Sequence, residues 1–248
     1  MASLSVSPLH RVSPGLLALL AAIPGGCDTP RMAIDGHVGV PFAQIDLTNQ
    51  KVRAVTLLGS DTVHIVHGDR LAIKVEGDAA AKAALRFVLG DGKLGIGRDP
   101  LAGPGTGAAT VTVTTPAIDQ LNMAGSGTMS SDRLTGKAVG VTIGGSGHVV
   151  TARIETARLD LSVMGSGSFT GSGHAGKLDL SLAGSGEVDL AHLKADEAAI
   201  DVAGSGTADL ASDGPVTGTV AGSGTITVHG KAHCDVSIAG SGKVTCTP

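Results

Sequence analysis

The chain has 248 residues, 18 basic and 22 acidic for a formal net charge of −4, with 38 glycines, three phenylalanines and neither Trp nor Tyr. That balance excludes a phosphate-tracking nucleic-acid surface, and Phe42, Phe87 and Phe169 are too few for a platform that stacks bases or sugars. A charged fraction of 16% with plentiful β-branched residues excludes disorder, and the glycines lack the three-residue period of collagen.

Residues 1–27 read as an export segment. His10 and Arg11 form a weakly basic start, and Leu16–Ile23 is an apolar run too short to span a bilayer. Pro24-Gly25-Gly26-Cys27 follows. Small residues before a cysteine resemble a bacterial lipobox, in which Cys27 is lipidated and becomes the mature N-terminus; Pro24 stands where the pattern prefers Leu. The alternative is an ordinary cleaved signal with an incidental cysteine. Asp28, next in sequence, favours inner-membrane retention in some bacteria.

Residues 33–116 are expected to form irregular β coils. Ala43–Leu47, Ala54–Leu57, Thr62–Val66, Leu71–Val75, Lys93–Ile96 and Thr110–Thr114 all read as strands. Ala79–Phe87, Ala-rich with Lys82 and Arg86, is the one helical segment expected. Arg98–Gly107, rich in Pro and Gly, is a loop before the regular repeats of 117–248.

Those repeats dominate the chain. The corners are Gly125-Ser126-Gly127, Gly145-Ser146-Gly147, Gly165-Ser166-Gly167, Gly184-Ser185-Gly186, Gly204-Ser205-Gly206, Gly222-Ser223-Gly224 and Gly240-Ser241-Gly242. Successive copies are 20, 20, 19, 20, 18 and 18 residues apart. Two places before each first Gly stand Met123, Ile143, Val163, Leu182, Val202, Val220 and Ile238, all apolar. Four places before it the residue is apolar in every copy but one, which has Gly218, and the position between is polar throughout, from Asn122 to Ser237. Apolar residues return four places after the Gly, from Met129 to Val244. This period of two is a strand with one buried face.

Each repeat is thus strand, corner, strand and a more variable stretch. At about 3.3 Å per residue, 18–20 residues trace roughly 60 Å, enough to turn two or three corners and stack on the next coil about 4.8 Å away. The expected fold is all-β: a right-handed parallel β-helix or solenoid, with 33–248 one continuous domain. An antiparallel meander is the competitor. Its hairpins favour Asn-Gly or Asp-Gly turns, which no corner has. Cys234 and Cys246 fall in the last coil, either bridged, as an oxidising compartment permits, or as two buried thiols.

Lys93-Leu-Gly-Ile96, the Thr-rich Val111–Pro116, then Leu121–Gly127 and the repeated corners together resemble the GIN-domain family over roughly residues 40–247. These are exported bacterial proteins of adhesin type. The resemblance implies a right-handed β-helix with no known catalytic residues. The family's label as an autotransporter head is not carried over, because no series of alternating strands with aromatic girdles follows the repeats.

Other motifs carry little. Gly171-Ser-Gly-His-Ala-Gly176 has phosphate-loop spacing, but a strand-like Leu178–Leu182 follows where a helix is required. The corner serines lie in no nucleophile elbow and are expected to form a structural ladder. His64 with His67, and His229 with His233, fall short of the three or four oriented ligands of a metal site. No cofactor or metal is expected. The function indicated is a non-enzymatic envelope module, adhesin-like or structural, with a protein or glycan partner and membrane contact only through Cys27. A periplasmic accessory protein is the runner-up. A polysaccharide-active β-helix is disfavoured by the missing Trp and Tyr.

Overall fold

The computed structural model describes residues 31–103 and 107–247. It is nearly all β, and its sheet is a parallel solenoid closed by a small antiparallel region at its N-terminal end.

A short hairpin, Ala33–Ile34 with His37–Val38, opens the chain through Asp35-Gly36, whose φ values of 50° and 81° are those of a tight primed turn. Ala43–Leu47 is not a strand. Phe42–Gln44 is instead one 3-10 turn entered from Pro41, whose φ of −56° suits a turn start. Burial explains the difference: Phe42 packs on the ring of Phe87 with centroids 5.5 Å apart, and Ile45 and Leu47 rest on the core without ladder partners.

The first coil runs Ala54–Gly59, a corner, then Thr62–His67. The chain next leaves the solenoid and returns one layer below. Ala72–Glu76 leads to a helix, Ala79–Ala84, whose N-terminal amide of Ala81 donates to the Asp78 carboxylate at 2.6 Å. The expected helix ends at Ala84, three residues early. Leu85–Gly90 is a strand, paired antiparallel with Lys93–Arg98 across Asp91-Gly92 (φ 51° and 74°), because this buries Leu85 and Phe87 completely. Lys93–Arg98 and Thr110–Thr115 then lie parallel beneath Ala54–Gly59 and Thr62–His67.

Above the first coil the order is regular. Gln120–Gly125 stacks on Ala54–Gly59 and Thr128–Ser131 on Thr62–His67, so the sheet crosses residue 117 without a break. Gly125 registers with Gly145, Gly145 with Gly165, and so on to Gly222 with Gly240. The meander is therefore excluded in the repeats. Register shifts after Thr151, Thr170 and Leu190 mark a second bend in those coils.

Inward residues form columns. Met123, Ile143, Val163, Leu182, Val202 and Val220 are each 0–2% exposed. At about 25 cal/mol per Å² of apolar surface, such columns supply the main stabilisation. Gly218 interrupts one of them for a steric reason: a Cβ there would collide with the Ile200 carbonyl oxygen. The last coil is locked by a disulfide between Cys234 and Cys246.

Candidate functional site: corners and outward ladders

The corners are built from backbone. In each triplet the first Gly has a positive φ, from 110° to 133°, and the Ser amide donates to the carbonyl of the corner below, for example Ser146 N to Gly125 O at 3.0 Å and Ser205 N to Gly184 O at 2.8 Å. These amides are therefore spent on stacking and are not aimed at an anion. The serine side chains are exposed at all seven corners, while the third Gly is buried in every copy except Gly242. Small size is required there because a Cβ on Gly186 would lie 2.7 Å from Gly167 O and 2.9 Å from Val163 Cγ1.

An eighth corner escaped the sequence pattern. Gly59-Ser60-Asp61 registers with Gly125-Ser126-Gly127, and Asp61 fills the third-Gly position. It is fully buried. Arg98 grips it with two bonds (Nε to Oδ2 2.8 Å, Nη2 to Oδ1 2.5 Å), and the Ala109 amide donates to Oδ1 at 2.8 Å. The Asp61 hydrogen bond also holds the Arg98 guanidinium above its ordinary range. This pair pins the loop after residue 98 against the first coil. The corner's signals in the sequence were the surviving Gly59-Ser60 and the Thr62-Val63 that follows.

Outward residues stand in ladders. One runs through Thr56, Asn122, Thr142, Ser162, Ser181, Asp201, Thr219 and Ser237; Asn122 bonds Thr56 at 3.3 Å and Thr219 donates to Asp201 at 2.6 Å. Beside it, Arg158 bridges Asp160 (2.8 Å) and Asp179 (2.9 Å), and Lys177 spans Asp179 (3.7 Å) and Glu197 (3.5 Å). His174 meets Asp196 at 3.1 Å, and Lys194 meets Asp213 at 2.6 Å. The Lys194 hydrogen bond, joined by the Lys231 amide, lowers the Asp213 pKa, and the same bond raises that of Lys194. The acids are thus paired along the ladders and do not face each other across a cleft.

The remaining sequence candidates are dispersed. His64 Nδ1 lies 2.7 Å from Ser130 Oγ, and His229 lies 2.7 Å from Asp209, so neither is placed with its sequence neighbour in a common site. Among the described residues no group of three or more His, Cys, Asp and Glu converges. Gly171–Gly176 lies inside the strand Ser168–Gly184, with Gly173 stacked on Ile154, so it opens no helix. Two hollows, one lined by Ile65, His67, Pro116 and Asp132 and one by Ile34, Asp35, Val88 and Lys93, hold about 10 and 20 Å³. A small-molecule site encloses ~300 Å³ or more. Cys27 lies outside the described residues.

Residues 52–232 match the sequence profile of the family described as "Putative auto-transporter adhesin, head GIN domain". The chain belongs to that family. No curated protein sequence matches it. Among solved structures it is similar to a putative adhesin from Bacteroides fragilis NCTC 9343, with a TM-score of 0.70 and 16% identity over 79% of this chain and 93% of that one. A putative adhesin from Parabacteroides merdae ATCC 43184 is similar at a TM-score of 0.65 and 16% identity, over 79% and 92%. A putative lipid binding protein from Parabacteroides distasonis ATCC 8503 is similar at 0.61 and 19%, over 79% and 93%. At these identities the likeness is one of fold. Family membership carries the adhesin-type description, and no helix among the described residues is long and apolar enough to cross a membrane.

Proposed function

We propose that this chain is an exported, non-enzymatic binding module of the cell envelope, adhesin-like, whose outward ladders contact a protein or glycan. The observation that carries this reading is the division of labour in the coils. Inward residues fill the core, corner amides are spent on stacking, and the chemistry left over stands on outward faces. The family's adhesin description points the same way. Pairing of Asp179 and Asp213 with neighbouring cations supports a structural use of the carboxylates over a catalytic one.

Export is supported by the Cys234–Cys246 disulfide, which belongs in an oxidising compartment, and by the apolar run before Cys27. Lipidation at Cys27 would make the membrane contact a covalent anchor.

Antibody raised against residues 31–247 tests the placement. Labelling of intact cells is expected for a surface adhesin. Labelling that requires permeabilisation would confine the protein to the periplasm and replace the adhesin reading with an accessory role. Turnover of an acidic polysaccharide by the purified chain would overturn the non-enzymatic reading.

A further inference from the structure

The two ends of the solenoid are finished differently. At the N-terminal end, Ala72–Glu76 and Leu85–Gly90 run antiparallel to the coil they cover, and the outermost strand carries the exposed Lys74–Glu76 ion pair at 2.9 Å. Charged residues on an edge strand oppose pairing with another chain. At the other end, His233–Gly240 and Lys243–Thr247 are each paired along one edge, with Pro215–Gly222 and Thr225–His229. Among the described residues nothing lies over the free edges. Ile238 is 46% exposed, whereas Val220 and Val202, its column neighbours below, are 0% and 2% exposed. Among the described residues the inward column is uncovered there.

We propose that this end docks on the same end of a second copy of the chain, about a two-fold axis through the corner at Ser241. An axis through the corner exchanges the two faces that meet there. Each copy's 233–240 then lies antiparallel against the other's 243–247. Ile238 comes opposite Val244 of the second copy, and Val236 opposite Cys246 of the second copy. All four point inward in their own coil, so both columns continue into the partner.

Three features favour a second copy as the occupant. Residues 235–239 meet 243–247 on both faces, and an antiparallel ladder averages about one bond per residue pair, so roughly ten backbone bonds form, the complement of a standard interface. Asp235 and Lys243 are the only acidic or Lys/Arg side chains on the two strands that meet the partner, 233–240 and 243–247, and they cancel, so the paired strands of like ends do not repel. The Cys234–Cys246 bridge holds both edge strands in one frame, which lets them pair together without prior ordering. Because the opposite end is blocked, the contact closes as a dimer and does not propagate.

Sedimentation of the full chain carrying Cys27→Ser, which removes lipid attachment at that residue, tests this. A species of twice the 24.3 kDa chain mass is expected. Ile238→Lys should weaken it at least ~30-fold, the effect of losing an interface hot spot, with an unchanged circular dichroism spectrum. Under oxidation Ser241→Cys should give an intermolecular disulfide across the axis, and Ser146→Cys, in mid-solenoid, should not. A monomer at ~100 µM, above which affinity is weaker than a specific dimer needs, would overturn the proposal. So would a dimer indifferent to Ile238→Lys, or cross-linking as efficient through residue 146 as through 241. If Ile238→Lys does not fold, the cross-linking pair decides.

Discussion

Gly204→Ala is the sharpest test of the corner geometry. Gly204 has a φ of 125°, a conformation that side-chain-bearing residues rarely adopt. A Cβ there would overlap the Gly184 carbonyl oxygen and lie 3.0 Å from its carbonyl carbon and 3.2 Å from its Cα. Every colliding atom is backbone, so no rotamer change relieves the contact. The coils must part locally, stretching the bonds Ser205 N to Gly184 O and Ser223 N to Gly204 O, both 2.8 Å. Backbone strain costs ~1–3 kcal/mol, overpacking a further ~1–3, and a weakened hydrogen bond ~1. The sum is about 5 kcal/mol, or a fall in Tm of roughly 10–20 °C for a chain of this size. Ser205→Ala keeps the amide and alters only an exposed hydroxyl, so it should change stability by less than ~0.5 kcal/mol. Urea unfolding of the two variants checks this. A loss below ~1 kcal/mol for Gly204→Ala, or equal losses for both, would refute the stacking account.

Val202→Asp places an unpaired carboxylate in a column position that is 2% exposed and should unfold the chain, whereas Asp201→Ala loses one exposed bond from Thr219 and should cost under ~1 kcal/mol; thermal melts of both read the register directly. Asp61→Gly would restore the triplet found at the other corners, yet it should destabilise by ~3–5 kcal/mol, because Arg98 and the Ala109 amide lose a buried partner; urea midpoints decide. Asp99, lowered chiefly by the Leu101 amide, and Asp213, lowered chiefly by Lys194, titrate below their ordinary 3.8 when folded. Their contribution is therefore present above about pH 4 and lost as pH falls through the depressed values. Lys194, raised above 10.5, adds a contribution present below that value and lost as pH rises through the folded one. Thermal melts should therefore show these contributions as a fall in Tm below about pH 4 and another above 10.5. Replacing Cys234 and Cys246 by Ser, which opens a closure across 12 residues of separation, should cost about 3 kcal/mol by chain entropy and expose the amides of 233–247 to hydrogen exchange before those of 140–222.

The solenoid was legible because two signals of different origin coincide in every repeat. Alternation from Leu121 to Met123, and again from Ile200 to Val202, sets the inward face, and the triplet that follows sets the bend. Each alone is ambiguous; together they favour stacked coils over a meander of hairpins. Where one signal lapses, legibility lapses with it. Asp61 hides the first corner, although Gly59-Ser60 and Thr62-Val63 keep the rest of the pattern. The antiparallel cap had its own sign in Asp91-Gly92, a dipeptide suited to two consecutive positive φ values, but the Ala-rich run before it outweighed the alternation of Leu85 and Phe87. Ala43–Leu47 misled because Ile45 and Leu47 are apolar at period two yet meet the core from a loop. The Asp61–Arg98 pair was beyond reach, since it joins residues 37 apart through the fold and neither has a local pattern.

Inward and outward positions obey different constraints, and that difference bears on function. Val202 meets a whole cross-section of the core, so its size is fixed by neighbours on every side. Asp179 meets only its ladder neighbours and water. Two acids stacked in register, Asp160 and Asp179, would repel, but Arg158 reaches both and Lys177 spans Asp179 and Glu197. The requirement on the surface is thus one of charge compensation from coil to coil, which many sequences meet. Surface chemistry can change along the axis without disturbing a single column. A recognition scaffold needs that freedom.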